Sequence, residues 1–326
     1  MRTFPAVTWT NALAHCQSPA MRPASLLRRR TTAFSPFATF AALTATAVVT
    51  VTAVTGCAPQ PESPAAAPGD AKASCAPGKL ATEVPGKLTI GTDKPAYAPW
   101  FDDDNPANGK GFESAVAHAV AKKLGYGKDQ VVWQTVPFNT AFAPGEKKFD
   151  FDLNQISISE SRKKAVSFSS GYYDVRQAVI ALKTSKAAKV KTLAGLKDVK
   201  LGAQVGSTSL DVIGDVIKPK RQPAVFQKND FAKTALKNGQ VEAIVLDLPT
   251  AFYITSAEVP EAEIVGQLEN NNTGSGPAEQ FGLVLDKDSK LTSCVTGAVD
   301  ALRADGTLAA LEKQWLSDAA DAPVLK

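Results

Sequence analysis

From Gly86 onward the chain alternates short apolar runs with amphipathic stretches, and this constrains its fold more than any other feature. "KLTIGT" (87–92), "QVVWQTV" (130–136), "VEAIVLDL" (241–248) and "EQFGLVLD" (279–286) are strand-like runs. Between them, "GFESAVAHAVAKKLGYG" (111–127) repeats Phe112, Val116, Val120 and Leu124 at helical spacing and ends at glycines. Residues 189–209 read as a short helix, a strand and a helix start. "PTAFYITSA" opens a helix with Pro249 in its first turn, and 291–316 hold two helices split by "ADG" (304–306). Such alternation over about 240 residues predicts α/β architecture with mostly parallel sheets, at a length that suits two domains.

The segment before Gly86 has another character. Residues 22–30, "RPASLLRRR", hold four arginines, and residues 37–54 are uncharged. A basic stretch, an apolar stretch and small residues are the parts of a secretory signal. Its ending, "VTGC", resembles the bacterial lipobox, which implies a lipid on Cys57. A retained membrane helix is the competing reading, since 18 apolar residues can just span a bilayer. Met21 sets the arginines at the front of the signal and is a better start than Met1. After Cys57 a Pro/Ala-rich run is too poor in large apolar residues to build a core.

Export changes the charge argument. The chain carries 36 basic and 32 acidic residues, a net of +4, but five arginines lie in residues 1–56. Without them 31 basic residues face 32 acidic ones, a net of −1, so charge makes no case for nucleic acid. Cys16 falls upstream of the cleavage point and Cys57 is the lipid site, leaving Cys75 and Cys294. In an oxidising compartment these two are expected to form one disulfide, the alternative being two buried thiols.

"KLTIGTDKPAYAPW", "GKGFESAVAHAVAKKLG", "FDFDLNQISISESRKKAVSFSSGYY", "VKLGAQVGSTS", "VEAIVLDLPTAFY" and "ALRADGTLAALEKQW" follow one another in an order that resembles the extracellular solute-binding proteins, family 3, of ABC transporters. The resemblance covers about residues 86–318. It implies a two-lobed, periplasmic-binding-protein-like fold of type II, with two crossovers near "QAVIALKTS" and "NTGSGPAEQFG" and lobes that close on a ligand. The expected divisions are 1–56 signal, 57–85 tether, 86–182 lobe 1, 183–276 lobe 2 and 277–326 the return to lobe 1.

By the same resemblance, Arg162 grips a ligand α-carboxylate, which a planar guanidinium matches with parallel donors. Read alone, Arg162 could equally be a surface residue pairing Glu160 or Asp152. Ser157 is implied in contacts to carboxylate and ammonium. Thr208, with Ser207 beside it, sits where "GSTS" opens a helix, as an anion site, an ordinary N-cap or both at once. Asp247, at a strand end, is implied to bind the ammonium, with helix capping as the alternative. Tyr97, Trp100 and Phe138 match side-chain-pocket positions, although loop aromatics often plug cores. Asp93 lies near the cleft in the family pattern, and Glu113 either joins it or complements a helix dipole.

The departures bear on the ligand. Asn154 and Gln155 stand where small residues are usual, aimed at the ligand or bracing the Ser157 loop, and Glu160-Ser161 replaces Pro-Glu. The function implied is a lipid-anchored, monomeric binding component that delivers an amino acid or close analogue to a membrane permease, with no cofactor or metal. Two alternatives remain: a dehydratase-like enzyme on the same fold, and a ligand-sensing surface lipoprotein. His118, the one histidine after Cys57, lies mid-helix without a partner motif, and no metal-spaced cluster, Gly-x-Ser-x-Gly or phosphate loop is present.

Overall fold

The computed structural model describes residues 75–269, 278–316 and 322–326, all within one unit, Ser63–Lys326. Cys57, the signal segment and most of the tether lie outside the described residues. Among the described residues, ten strands form two five-stranded sheets. The first is ordered β2 (Val131–Thr135), β1 (Leu88–Thr92), β3 (Phe151–Asp152), β10 (Gln280–Leu285), β4 (Ser167–Asp174). The second is ordered β7 (Ala224–Phe226), β6 (Leu201–Gln204), β8 (Ala243–Asp247), β5 (Gln177–Leu182), β9 (Ala262–Gln267).

Each sheet is mixed rather than mostly parallel. β1 runs parallel to β2 and β3, and β6 to β7 and β8. The strands that connect the sheets reverse direction: β10 is antiparallel to β3 and β4, and β5 to β8 and β9. Alternation cannot reveal this, because strand direction depends on which sheet the next strand joins.

In the second sheet Ala178, Ile180, Ile244 and Leu246 pack into one core, and Val179, Ala181, Ala243 and Val245 into another. Side chains alternate across the pleat, so a strand covered on both faces reads as one unbroken apolar run. That is why "QAVIAL", expected as a crossover, is a full strand. The first crossing is Val175-Arg176 between β4 and β5, so the lobe boundary lies there and not at 182/183. The second crossing joins β9 to β10; residues 270–277 of it lie outside the described residues.

Two further boundaries shift. Cys75 and Leu80 pack on the first lobe's core and Glu83 N donates to Asp150 at 2.8 Å, so the fold begins inside the expected tether. At the other end, Leu325 packs in the second lobe, where its N–H donates to the Gln267 carbonyl. The last residues therefore leave lobe 1.

Helix α1 (Phe112–Lys123) buries Phe112, Val116 and Val120 on the first sheet, as its spacing predicts. Helices α2 (Thr208–Val212), α3 (Asn229–Lys237) and α4 (Leu248–Tyr253) follow β6, β7 and β8. Helices α5 (Thr292–Ala304) and α6 (Thr307–Leu316) return to lobe 1, where Cys294 of α5 is bonded to Cys75. Among the described residues no helix is long and apolar enough to cross a membrane.

Candidate functional site

A polar void lies where the strand ends of the two sheets face one another. Asp93 and Tyr97 come from the loop after β1, Asn154, Gln155 and Arg162 from the segment after β3, and Phe138 from the turn after β2. Across from them stand Gln204, Ser207 and Thr208 after β6, Lys228 and Asn229 after β7, and Asp247 at the end of β8. Carboxyl ends of strands are where α/β sheets receive ligands.

Arg162 is the most constrained of these groups. It lies in a helical turn, Glu160–Lys163, capped by the Ser159 hydroxyl, which accepts from Arg162 N at 3.3 Å. The side chain is 8% exposed, with its guanidinium 4.3 Å from the Phe142 ring centroid and 5.8 Å from that of Phe138. Its Nη1 donates to the Ser157 carbonyl at 2.6 Å and its Nη2 to the Gly206 carbonyl at 2.9 Å. Burial lowers its pKa. Neither Glu160 nor Asp152 pairs with it: Glu160 bonds Lys163 at the surface, and Asp152 is buried beside Gly91.

Gly206 has φ +71°, and a Cβ there would meet Asn139 Oδ1 at 2.3 Å. Glycine takes this turn without strain, and the turn aims the carbonyl at Arg162. Ser207 is mainly a cap: its hydroxyl accepts from Leu210 N and donates to the Gln204 carbonyl. Thr208 Oγ1 lies 3.3 Å from Ser157 Oγ, joining the two walls.

Asp247 heads α4 without capping it. Its carboxylate accepts from Gln177 Nε2 at 2.8 Å, and burial, aided by nearby Glu279, raises its pKa to about 8. Gln177 is the hub on this side, since its Oε1 accepts from Ser209 at 2.6 Å. Ser157 donates to Glu279 at 2.6 Å. On the other side of the void Asp93 pairs with Lys228 at 3.2 Å, and the Tyr97 hydroxyl donates to Asp230 at 3.0 Å.

Gln155 takes φ +50°, a left-handed conformation that costs roughly 1–2 kcal/mol in a residue with a Cβ. Glu113 holds it there. This fully buried carboxylate accepts from Gln155 N at 2.7 Å, from Gln155 Nε2 and from the Tyr172 hydroxyl, while burial pushes its pKa up to about 7. Glu113 therefore braces the Asn154-Gln155 loop from behind and does not face the void.

Trp100 departs from expectation. It is fully buried, with edge contacts to Phe112, Tyr173 and Phe281 at 5.5 to 6.1 Å, and its indole N–H donates to Thr250 Oγ1 at 2.9 Å. It plugs the junction of the lobes and does not line the void. The structure brings the other expected residues, Ser157 among them, to the two walls or their junction. Sequence reasoning missed Gln177, Glu279, Gln204, Lys228, Asn229 and Phe142. Gln177 and Glu279 had a local signal, each a polar residue opening an apolar run.

Residues 88–318 match the family model of the bacterial extracellular solute-binding proteins, family 3. The chain belongs to that family. Among the proteins it is similar to is the arginine-binding extracellular protein ArtP of Bacillus subtilis, 26% identical over 71% of this chain and 86% of ArtP. Another is the ABC transporter glutamine-binding protein GlnH of the same organism, 27% identical over 67% of this chain and 77% of GlnH. The solved structure of an ancestral arginine-binding protein bound to arginine is 30% identical, with a TM-score of 0.58, over 71% of this chain and 98% of that one. The ancestral amino acid-binding protein AncCDT-1, a precursor of cyclohexadienyl dehydratase, is 29% identical with a TM-score of 0.58, over 71% and 95%. These likenesses agree with the type II binding-protein architecture of two mixed sheets.

Proposed function

We propose that this chain is the lipid-anchored binding component of an ABC importer and captures an α-amino acid between its two lobes. The observation that carries the reading is Arg162. A guanidinium has five N–H groups, and two of them are bonded among the described residues, to one carbonyl from each lobe. The buried cation faces a void and has no carboxylate partner within ion-pair distance among the described residues. A ligand carboxylate would supply the missing acceptor, strengthened by exclusion of water.

Asp247, held by the Gln177 amide N–H, forms an acceptor pole toward the crossovers, which suits an α-ammonium. The named relatives bind amino acids, including arginine and glutamine, which supports the same class here. An acid–base pair of Glu113 with Asp93 draws no support, since the first lies behind Gln155 and the second is bonded to Lys228.

Calorimetry with the twenty L-amino acids and their decarboxylated amines tests the reading. At least one amino acid is expected to bind, and its amine to bind far more weakly. Equal binding of both would overturn the carboxylate site. The anchor has its own test: Cys57→Ser should move the protein from the membrane fraction to the medium, and an unchanged distribution would contradict lipidation.

A further inference from the structure

The end of the void away from the crossovers has a composition of its own. Strand order separates it from the Asp247 pole, because β6 lies between β7, which leads to Lys228 and Asn229, and β8, which ends at Asp247. Four carboxamides line the void: Asn154, Gln155, Gln204 and Asn229.

The charged groups nearby are already held in ion pairs, with Lys233 shared between Asp230 and Glu258. Asp93 pairs with Lys228 at 3.2 Å and also accepts from Phe138 N, while Lys228 donates to the Lys94 carbonyl. Asp230 accepts from Tyr97 and pairs with Lys233 at 2.8 Å. A charged ligand side chain would have to break one of these pairs or lie desolvated beside them, and a buried charge without a partner is costly.

The amides, by contrast, have capacity left. Asn154 is 7% exposed and its Nδ2 has no hydrogen-bond partner among the described residues. Gln204 Oε1 accepts from Asn229 N at 3.0 Å, and its Nε2 makes no bond among those residues. Gln155 Nε2 is committed to Glu113, which holds the Gln155 side chain in one orientation. A buried N–H left unsatisfied, as at Asn154, costs about 1–3 kcal/mol, and a ligand acceptor that bonds it relieves that cost.

We infer that the ligand carries a neutral carboxamide side chain, as glutamine and asparagine do, and that Asn154 and Gln204 are its specificity-determining residues. The unpartnered groups of both residues are N–H donors, which a carboxamide oxygen meets without bringing in a negative charge. The inference rests on the amino-acid reading of the Arg162 site.

The test is calorimetry on the full chain with glutamine, asparagine, glutamate and arginine, using wild type, Asn154→Leu, Gln204→Met and Arg162→Ala. Expected is binding of glutamine or asparagine at least about 100-fold tighter than of glutamate or arginine. Asn154→Leu, which keeps the shape and removes the polar atoms, should lower that affinity about tenfold or more without lowering the melting temperature. Gln204→Met should act in the same direction. If arginine or glutamate binds more tightly than both carboxamides, and binding is lost in Arg162→Ala, the side-chain assignment falls and the carboxylate site stands. If neither Asn154→Leu nor Gln204→Met weakens carboxamide binding, the assignment also falls. If no amino acid binds, both fall together.

Discussion

Two zones bridge the lobes, and they are built in opposite ways. Around Trp100 the contact is dry and complete: aromatic rings fill the space, and the one indole N–H is answered by Thr250. Around Arg162 the side chains are buried or half-buried, and the Asn154 Nδ2 and part of the guanidinium have no partner among the described residues. A wall that satisfies its own polar groups is structure, and a wall that leaves them short is prepared for a ligand. Both zones supplied residues expected at the ligand, and only hydrogen-bond accounting separates them.

Substitutions should therefore move different observables in the two zones. The largest effect expected is Trp100→Ala, which should cost about 3–5 kcal/mol of folding stability in denaturant titrations, from lost packing and a stranded Thr250 hydroxyl. A mild stability loss accompanied by a large loss of affinity would place Trp100 at the ligand after all. Arg162→Ala should do the reverse, weakening ligand binding by about 2–5 kcal/mol in calorimetry.

Acidity sharpens the contrast, because burial pushes the Tyr173 hydroxyl beside Trp100 up and keeps it neutral. The raised pKa values of Asp247, about 8, and Glu113, about 7, belong to acids that the fold prefers neutral. Their contribution to stability is fully present below the unfolded values near 4 and is lost as pH rises through 7 and 8. The ligand-free protein should thus melt at a lower temperature at pH 8 than at pH 5 on their account. Ligand binding should show the opposite slope. An ammonium favours ionised Asp247, so affinity should rise by up to about tenfold per pH unit toward pH 8 and then level off. An affinity that falls over that range would remove Asp247 from the ammonium role. The smallest effect belongs to Tyr97→Phe, which deletes one inter-lobe hydrogen bond and should weaken binding by about 0.5–1.5 kcal/mol, measured by the same titration.

Much of the first lobe was legible in the sequence, because α1 and the β1 and β2 runs carry their periodicity openly. β5 was not: like β8 it is an apolar run covered on both faces, but the resemblance placed a crossover there. Of the site, Arg162, Ser157, Thr208 and Asp247 could be nominated because motif positions mark them. Lys228 and Asn229 could not. They follow a three-residue strand in the second lobe and acquire meaning only when Asp93 and Gln204 are brought against them. Trp100 was misplaced for a related reason: spacing puts it in the right loop but does not say whether a ring turns toward solvent or into the core.

The central claim is that Arg162 binds the carboxylate of an amino acid. The most direct measurement is a calorimetric cycle: one bound L-amino acid and its decarboxylated amine, each titrated into wild type and Arg162→Ala. The account predicts that the substitution costs the amino acid at least about 2 kcal/mol and the amine almost nothing. Equal losses for both ligands would show that Arg162 only ties the lobes together through Ser157 and Gly206, and would contradict the claim.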